Sequence, residues 1–261
     1  MFQIGYRSAF ALLVLASVIL GVTVYWGREV PVTTDQAPTQ AQKPAAGDPL
    51  ASFKAGSRAT IDAYLRDEPI KRLQIGAGGA RHEGWLNTDI EPGEGLAYLD
   101  ATQAFPFPDA TFQYVASEHV IEHLTYDQAK VMISESFRVL APGGKVRVAT
   151  PNLLRLIALF DPNKSDEAKR YIAGKLEWHE WPKEPSSEAI ILNLQMSSWG
   201  HKFLYDPATL RGALARAGFR SIKQFAMSES DDPVLRGFEA RITGVHAHVN
   251  AYETMVIQAQ K

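Results

Sequence analysis

The chain has 261 residues, 46% hydrophobic and 21% charged, which is ordinary for a globular protein and excludes a fibrous or wholly disordered one. Lys and Arg total 27 against 29 Asp and Glu, so the net charge of −2 offers no basic surface for nucleic-acid phosphates. There is no cysteine, which removes disulfides, thiolate metal ligands and thiol catalysis.

In chain order, the first element is an uncharged run, residues 8–27, flanked by Arg7 and Arg28. About 20 apolar residues suffice for a helix to cross a bilayer core. Tyr25 and Trp26 close the run, where amphipathic rings favour the membrane interface. The expectation is a retained transmembrane anchor. A cleaved signal peptide is the alternative, although the run does not end in a small-x-small site. Residues 28–50 hold Pro31, Pro38, Pro44 and Pro49 among polar residues and read as a flexible linker. Residues 51–261 remain as one domain with room for a full core.

That domain alternates strand and helix signals. Ala59 to Leu65 is a short amphipathic stretch. Lys71–Ile75, Trp85–Ile90, Tyr98–Leu99 and Thr111–Ala116 read as strands. Thr125-Tyr-Asp-Gln128 fits a capping box, and Ala129, Ile133, Phe137 and Leu140 follow at helical spacing before Pro142-Gly143-Gly144. Lys145–Thr150 is a further strand. Asp206-Pro207 opens a helix that Gly218 closes. Ser221–Met227 and Tyr252–Gln260 are closing strands. Such alternation argues for an open α/β sheet.

The chemistry starts at Ile75-Gly76-Ala77-Gly78-Gly79-Ala80, a glycine turn after a strand, where the backbone can approach a ligand and offer amide donors. Asp89 ends the next strand, where a carboxylate can accept both hydroxyls of a ribose. It stands nearer to Gly76 than the roughly 20 residues of a dinucleotide-binding unit. The intervening Arg81-His-Glu-Gly-Trp85 has no helical period, so the first crossover helix is expected to be absent or very short. A pyrophosphate normally rests on that helix's N-terminus. Its loss suits a nucleoside without phosphates better than NAD or FAD.

At this point the sequence resembles the class I S-adenosyl-L-methionine (SAM)-dependent methyltransferases, in their type-11 group. The resemblance is carried by Leu73–Gly79, Gly84–Ile90, Phe105–Phe112, Ser117–Leu124, Phe137–Lys145 and Gly200–Tyr205, in that order. It implies a Rossmann-like seven-stranded sheet with the last strand antiparallel, and SAM across the carboxyl ends of the strands. Position by position, it implies that Gly76 and Gly78 shape the turn under the methionine part and that Asp89 holds the ribose. Asp100 and Ala101 would face the adenine, and Glu118 and His119 would line the methionine side. Two departures stand out. Gln74 replaces an acidic residue common before the first glycine, and the glycine spacing differs from Gly-x-Gly-x-Gly. A non-catalytic binding module on the same fold is therefore an alternative.

His119-Val-Ile-Glu122-His123 also fits H-x-x-E-H, the motif of a zinc peptidase class. On a helix, His119 and His123 would share a face. The methyltransferase reading takes precedence because the flanking segments match it, and no metal is expected. For an oxygen acceptor, a histidine is the suitable proton acceptor. His119, His123 and His201 are candidates, with His123 and His201 taken as the catalytic pair. Residues 151–200 are expected to form a helical insertion. It carries Trp178, His179, Trp181 and Trp199, able to bind a sugar or to pack a cap. The expected acceptor is a small molecule or cell-surface glycan precursor. SAM is made in the cytosol, so the domain is expected on the cytoplasmic face of a single-pass membrane anchor. Charge does not fix that orientation.

Overall fold

The structure is a computed structural model that describes residues 49–181, 183, 187–239 and 247–261. The expected anchor, 8–27, and all but the last two residues of the expected linker lie outside them. Among the described residues no helix is long and apolar enough to cross a membrane.

The first described element is helix α1 (Pro49–Asp67). It is longer than the stretch 59–65 expected, because most of its first half is exposed and carries no apolar stripe. Residues 49–50 of the expected linker belong to it. Ile61 is buried in the core, and the Ser57 hydroxyl accepts the Tyr98 amide at 2.7 Å. The Tyr64 hydroxyl accepts from the Arg72 amide at 2.8 Å and reaches the Gly84 carbonyl at 3.0 Å. Together these contacts staple α1 across the start of the sheet.

Seven strands follow among the described residues: β1 (Arg72–Ile75), β2 (Leu86–Asp89), β3 (Ala97–Tyr98), β4 (Phe112–Glu118), β5 (Leu140–Pro151), β6 (Arg220–Phe225) and β7 (Thr254–Gln260). Their order is β3-β2-β1-β4-β5-β7-β6. The first five run parallel, and β7 runs antiparallel to both β5 and β6. No helix connects β1 to β2, as the missing period in residues 81–85 anticipates.

Helix α2 (Tyr126–Val139) opens on the anticipated capping box: the Thr125 side chain accepts from the Gln128 amide, and the Gln128 side chain accepts from the Thr125 amide. It ends at Val139, three residues before Pro142, because Leu140 turns to extended backbone at the start of β5. Helix α6 (Pro207–Arg216) is capped by Asp206, whose carboxylate accepts the Thr209 amide at 2.7 Å. Met132 and Ile133 from α2 and Leu210 and Leu214 from α6 bury against Leu73, Val115, Val146 and Val148 on one sheet face.

The opposite face is closed by the segment 226–239. Leu235 and Phe238 pack there against Trp85 and Ala116, and His82 stacks on Phe238. A fully buried Arg147 donates to the Glu239 carboxylate and to the Gln258 amide oxygen, and Lys145 pairs with Asp232 at 2.7 Å. Residues between β5 and α6 form helices α3 (Leu153–Ile157), α4 (Asp166–Trp178) and α5 (Ser187–Ser197). With α7 (Ala247–Glu253) they enclose a second core of Leu156, Leu159, Tyr171, Ile191, Val249 and Tyr252. Because β7 is antiparallel, its first residue, Thr254, pairs with Pro151 at the end of β5. Residues of α7 are thereby brought to the carboxyl edge of the parallel strands, where the site lies.

Candidate active site

At that edge the turn after β1 leaves the sheet at Gly76 and Gly78, both left-handed with φ of 66° and 51°. A side chain on Gly76 would overlap Val120, whereas one on Gly78 would meet nothing within 4 Å. The turn is pinned on three sides. The Ala77 amide donates to Thr88, the Gly78 amide donates to Asp89 Oδ2 at 2.8 Å, and Gln74 Nε2 donates to the Ala80 carbonyl at 2.7 Å. The last contact gives Gln74 a physical rationale: an amide donates to a carbonyl, which an ionised carboxylate could not do.

Asp89 ends β2 with Oδ1 accepting the Glu91 amide at 3.0 Å. Asp100 follows β3, and its Oδ1 accepts from the Thr102 amide and hydroxyl at 2.9 and 2.7 Å. Glu118 ends β4 and is buried. Gly76, Gly78, Asp89, Asp100, Ala101, Glu118 and His119 all line one cleft of about 460 Å³. Every position assigned to the cofactor by resemblance thus faces the same space. A pocket of that size is typical for a small molecule or cofactor.

His119 leaves β4 with φ of 52°, an uncommon conformation for a residue with a side chain. Its amide is held by the Ala149 carbonyl at 2.9 Å. Nδ1 lies 2.8 Å from Oε1 of the fully buried Glu122, and Nε2 lies 3.2 Å from Thr254 Oγ1. The Thr254 hydroxyl donates onward to Asn250 Oδ1 at 3.1 Å, so it accepts from His119. The ring therefore donates from both nitrogens, as an imidazolium facing a carboxylate. Burial lowers the His119 pKa, but the Glu122 hydrogen bond and charge outweigh it and leave it raised. Burial likewise raises that of Glu122, and His119 brings it below the usual carboxylate range.

Residues 121–123 form one 3-10 turn rather than an α-helix. His119 and His123 consequently do not share a helix face, and the H-x-x-E-H pattern is not presented as a peptidase would present it. His123 lines the cofactor cleft and also a second cavity of about 310 Å³, as do His119 and Trp199. Burial first, and His201 beside it, hold the His123 pKa below its ordinary value. His201 lines the second cavity only, with its ring 4.8 Å from that of His123.

The rest of the second cavity comes from the insertion and from α7. Trp178, His179 and Trp199 supply aromatic walls. Lys175 and Glu253 form a buried pair at 2.8 Å, and the Glu253 carboxylate also accepts from the Tyr171 hydroxyl at 2.6 Å and Gln195 Nε2 at 2.7 Å. Lys175 Nζ sits 5.6 Å and 5.4 Å from the Trp178 and Trp199 ring centres. Sequence reading singles out the tryptophans and His179 here. Lys175, Gln195, Asn250 and Glu253 carry no local motif, since they meet only through the antiparallel β7.

The strand order 3-2-1-4-5-7-6, with a carboxylate ending β2 and a glycine turn after β1, is the arrangement that the resemblance to class I SAM-dependent methyltransferases implies. Residues 74–148 match the family model described as a methyltransferase domain. That match supports a SAM-dependent methyltransferase, with SAM as the cofactor.

Among known proteins, a Mycolicibacterium smegmatis protein named for SAM-dependent methyl transfer is 55% identical over 47 residues, 18% of either chain. The chain thus aligns with under a fifth of that relative. The ubiquinone/menaquinone biosynthesis C-methyltransferase UbiE of Pectobacterium carotovorum is 24% identical over 210 residues, 74% of this chain and 70% of that one. A SAM-dependent methyltransferase structure from Archaeoglobus fulgidus aligns with a TM-score of 0.45 and 20% identity, over 81% of this chain and 94% of that one.

Proposed function

We propose that this chain transfers the methyl group of SAM to a hydroxyl of a small, sugar-like acceptor held in the aromatic-walled cavity. The observation that carries the reading is the junction of the two cavities. His119, His123 and Trp199 line both, so a sulfonium methyl in one and an acceptor atom in the other would face each other there.

Transfer is an in-line displacement. The acceptor oxygen forms a bond to the methyl carbon, the carbon–sulfur bond breaks, and S-adenosylhomocysteine leaves. Orientation and exclusion of water supply most of the acceleration. In this reading Asp89 accepts the ribose hydroxyls, Asp100 and Ala101 border the adenine, and Glu118 and the glycine turn border the methionine portion. Trp178 and Trp199 offer flat apolar faces for a sugar ring, with the polar groups of Lys175, Gln195 and Glu253 beside them. His123 and His201 handle the proton that the hydroxyl must lose. The proposal also keeps the domain on the cytoplasmic side of a membrane, tethered through residues 8–27. Protease protection in sealed vesicles tests that placement, and a shielded domain would refute it.

The chemical test is transfer of labelled methyl from SAM into membrane and glycan extracts, followed by NMR of the product. An O-methyl resonance supports the reading. A C-methyl product, the chemistry that the UbiE name states for the relatives, replaces the acceptor class. Absence of calorimetric binding of both SAM and S-adenosylhomocysteine to folded protein would favour the non-catalytic alternative.

A further inference from the structure

We propose that Glu122, His123 and His201 form a binding site for a divalent transition-metal cation in the wall of the acceptor cavity. Their ligand-capable atoms all lie within 4.8 Å of one another. The three come from two segments joined by main-chain bonds. The amides of Lys202 and Phe203 both donate to the Glu122 carbonyl, at 2.7 and 3.2 Å. His201 therefore cannot drift from the turn that carries Glu122 and His123.

The donor atoms are in the state a cation requires. His201 Nδ1 lies 2.6 Å from the Gln195 carbonyl oxygen. A carbonyl only accepts, so Nδ1 carries the hydrogen and Nε2 keeps its lone pair, the usual orientation of a metal-bound imidazole. The Glu122 side chain is fully buried. Its Oε1 takes one hydrogen bond from His119 and its Oε2 one from Thr150 at 3.0 Å. The Glu122 backbone amide also bonds to the carboxylate, so three of its four accepting directions are taken and one remains for a cation. In this arrangement His119 orients the carboxylate ligand instead of being a ligand itself, which gives the H-x-x-E-H stretch a different use from the peptidase one.

Two imidazoles and one carboxylate, with no sulfur, suit zinc, cobalt, iron or manganese better than magnesium or calcium. Three protein ligands leave a coordination position open. His123 and His201 both line the acceptor cavity, so a cation held by them would border it. Tetrahedral zinc ligands stand roughly 3.3 Å apart, given bonds of about 2.0–2.1 Å. A shift of the half-buried His123 ring, with the His201–Gln195 bond kept, would close the difference from the observed 4.8 Å. The role of the cation rests on the methyl-transfer reading. An acceptor hydroxyl bound to it would release its proton to solvent near neutral pH, as zinc-bound water does; with the cation bound, His123 and His201 serve as ligands in place of taking that proton themselves, and the resulting alkoxide would attack the methyl carbon.

The test titrates the full chain with Zn²⁺ or Co²⁺ alone, without SAM or acceptor. The expected result is one cation per chain, with the visible spectrum of four- or five-coordinate Co²⁺. His201→Ala and His123→Ala should each weaken binding by at least about tenfold, and His179→Ala, on a cavity residue outside the cluster, should not. Melting curves confirm that each variant is folded, and the partly exposed His201 is the safest position for folding. Wild-type protein that shows no saturable binding, or His201→Ala that binds as well as wild type, overturns the site. SAM calorimetry on the same samples separates the two readings. Cation binding without SAM binding defeats the methyl-transfer reading and leaves the site standing, and SAM binding without cation binding does the reverse.

Discussion

The two halves of the active edge are built in opposite ways. The cofactor cleft is made of strand ends and the turns that directly follow them, all within residues 75–124 apart from Trp199. Its polar contacts are short-range: Asp89 holds Gly78 and Glu91, and Asp100 holds Thr102. The second cavity is made of side chains drawn from the turn after β4, the end of β5, the insertion with His201 after it, and α7, with the buried Lys175–Glu253 pair in its wall. The first is a backbone site and tolerates change poorly at its glycines. The second is a side-chain site and depends on the buried charged pair of Lys175 and Glu253. Changes to the charged pair of the second should therefore cost stability, whereas in the first, changes at the glycines should cost stability and changes at the carboxylates cofactor binding.

The largest expected effect follows from Glu253. Glu253→Ala leaves Lys175 buried without its carboxylate and strips an acceptor from Tyr171 and Gln195. Breaking one side of a buried pair costs about 3–5 kcal/mol. Urea unfolding should show this loss, and the Lys175→Met/Glu253→Leu double variant should recover much of it. If Glu253→Ala melts like wild type, the cavity is not organised by this pair. Next comes Gly76→Ala, where a methyl would overlap Val120 in a left-handed turn. Overpacking and strain together should cost about 2–4 kcal/mol. Gly78→Ala has open space and only the strain, about 1 kcal/mol, so its stability should fall less. Equal losses at the two positions would show that conformation alone, without the close approach, sets the turn.

The same contrast explains what could be read before the fold was known. Gly76, Gly78, Asp89 and Asp100 follow their strands directly, so placing the strands places them. The Thr125–Gln128 cap and the Asp206-Pro207 start are likewise local, because their partners lie within three residues. Lys175 and Glu253 are 78 positions apart, and nothing near either announces the other. His119 is expected at the cofactor, and it does line the cleft. Its engagement with Glu122 and Thr254 needed a left-handed backbone and an antiparallel strand that no spacing encodes. The N-terminal half of α1 escaped for the opposite reason: an exposed helix carries no stripe.

A third expectation sharpens the binding side. Asp89→Ala removes the proposed ribose acceptor and two backbone contacts at the surface of the cleft. Loss of hydrogen bonds to a charged group is worth about 1.5–3 kcal/mol, so SAM affinity by calorimetry should drop roughly 10- to 100-fold. The melting temperature should move little, because Asp89 is not buried. Unchanged affinity would remove Asp89 from the site.

The smallest effect should appear in acid, and on the cofactor side. The loop 105–109 precedes β4 and follows the Asp100–Ala101 wall. Glu135 Oε2 accepts the Phe105 amide at 2.7 Å, and Arg138 donates to the Phe105 and Phe107 carbonyls. The Arg138 guanidinium lowers the Glu135 pKa against a smaller opposing effect of burial. A carboxylate with a depressed folded pKa contributes stability above its unfolded value, and that contribution fades as pH falls through the folded value. Wild-type stability should therefore decline below the ordinary glutamate range of about 4.5, and Glu135→Gln, less stable at neutral pH, should decline less steeply there. Glu135 is largely shielded, with a side-chain exposure of 16%, so salt should soften the slope only weakly. If both proteins lose stability in parallel, the clamp is held by the Arg138 carbonyl contacts alone, and the acid response of the cofactor side comes from another carboxylate.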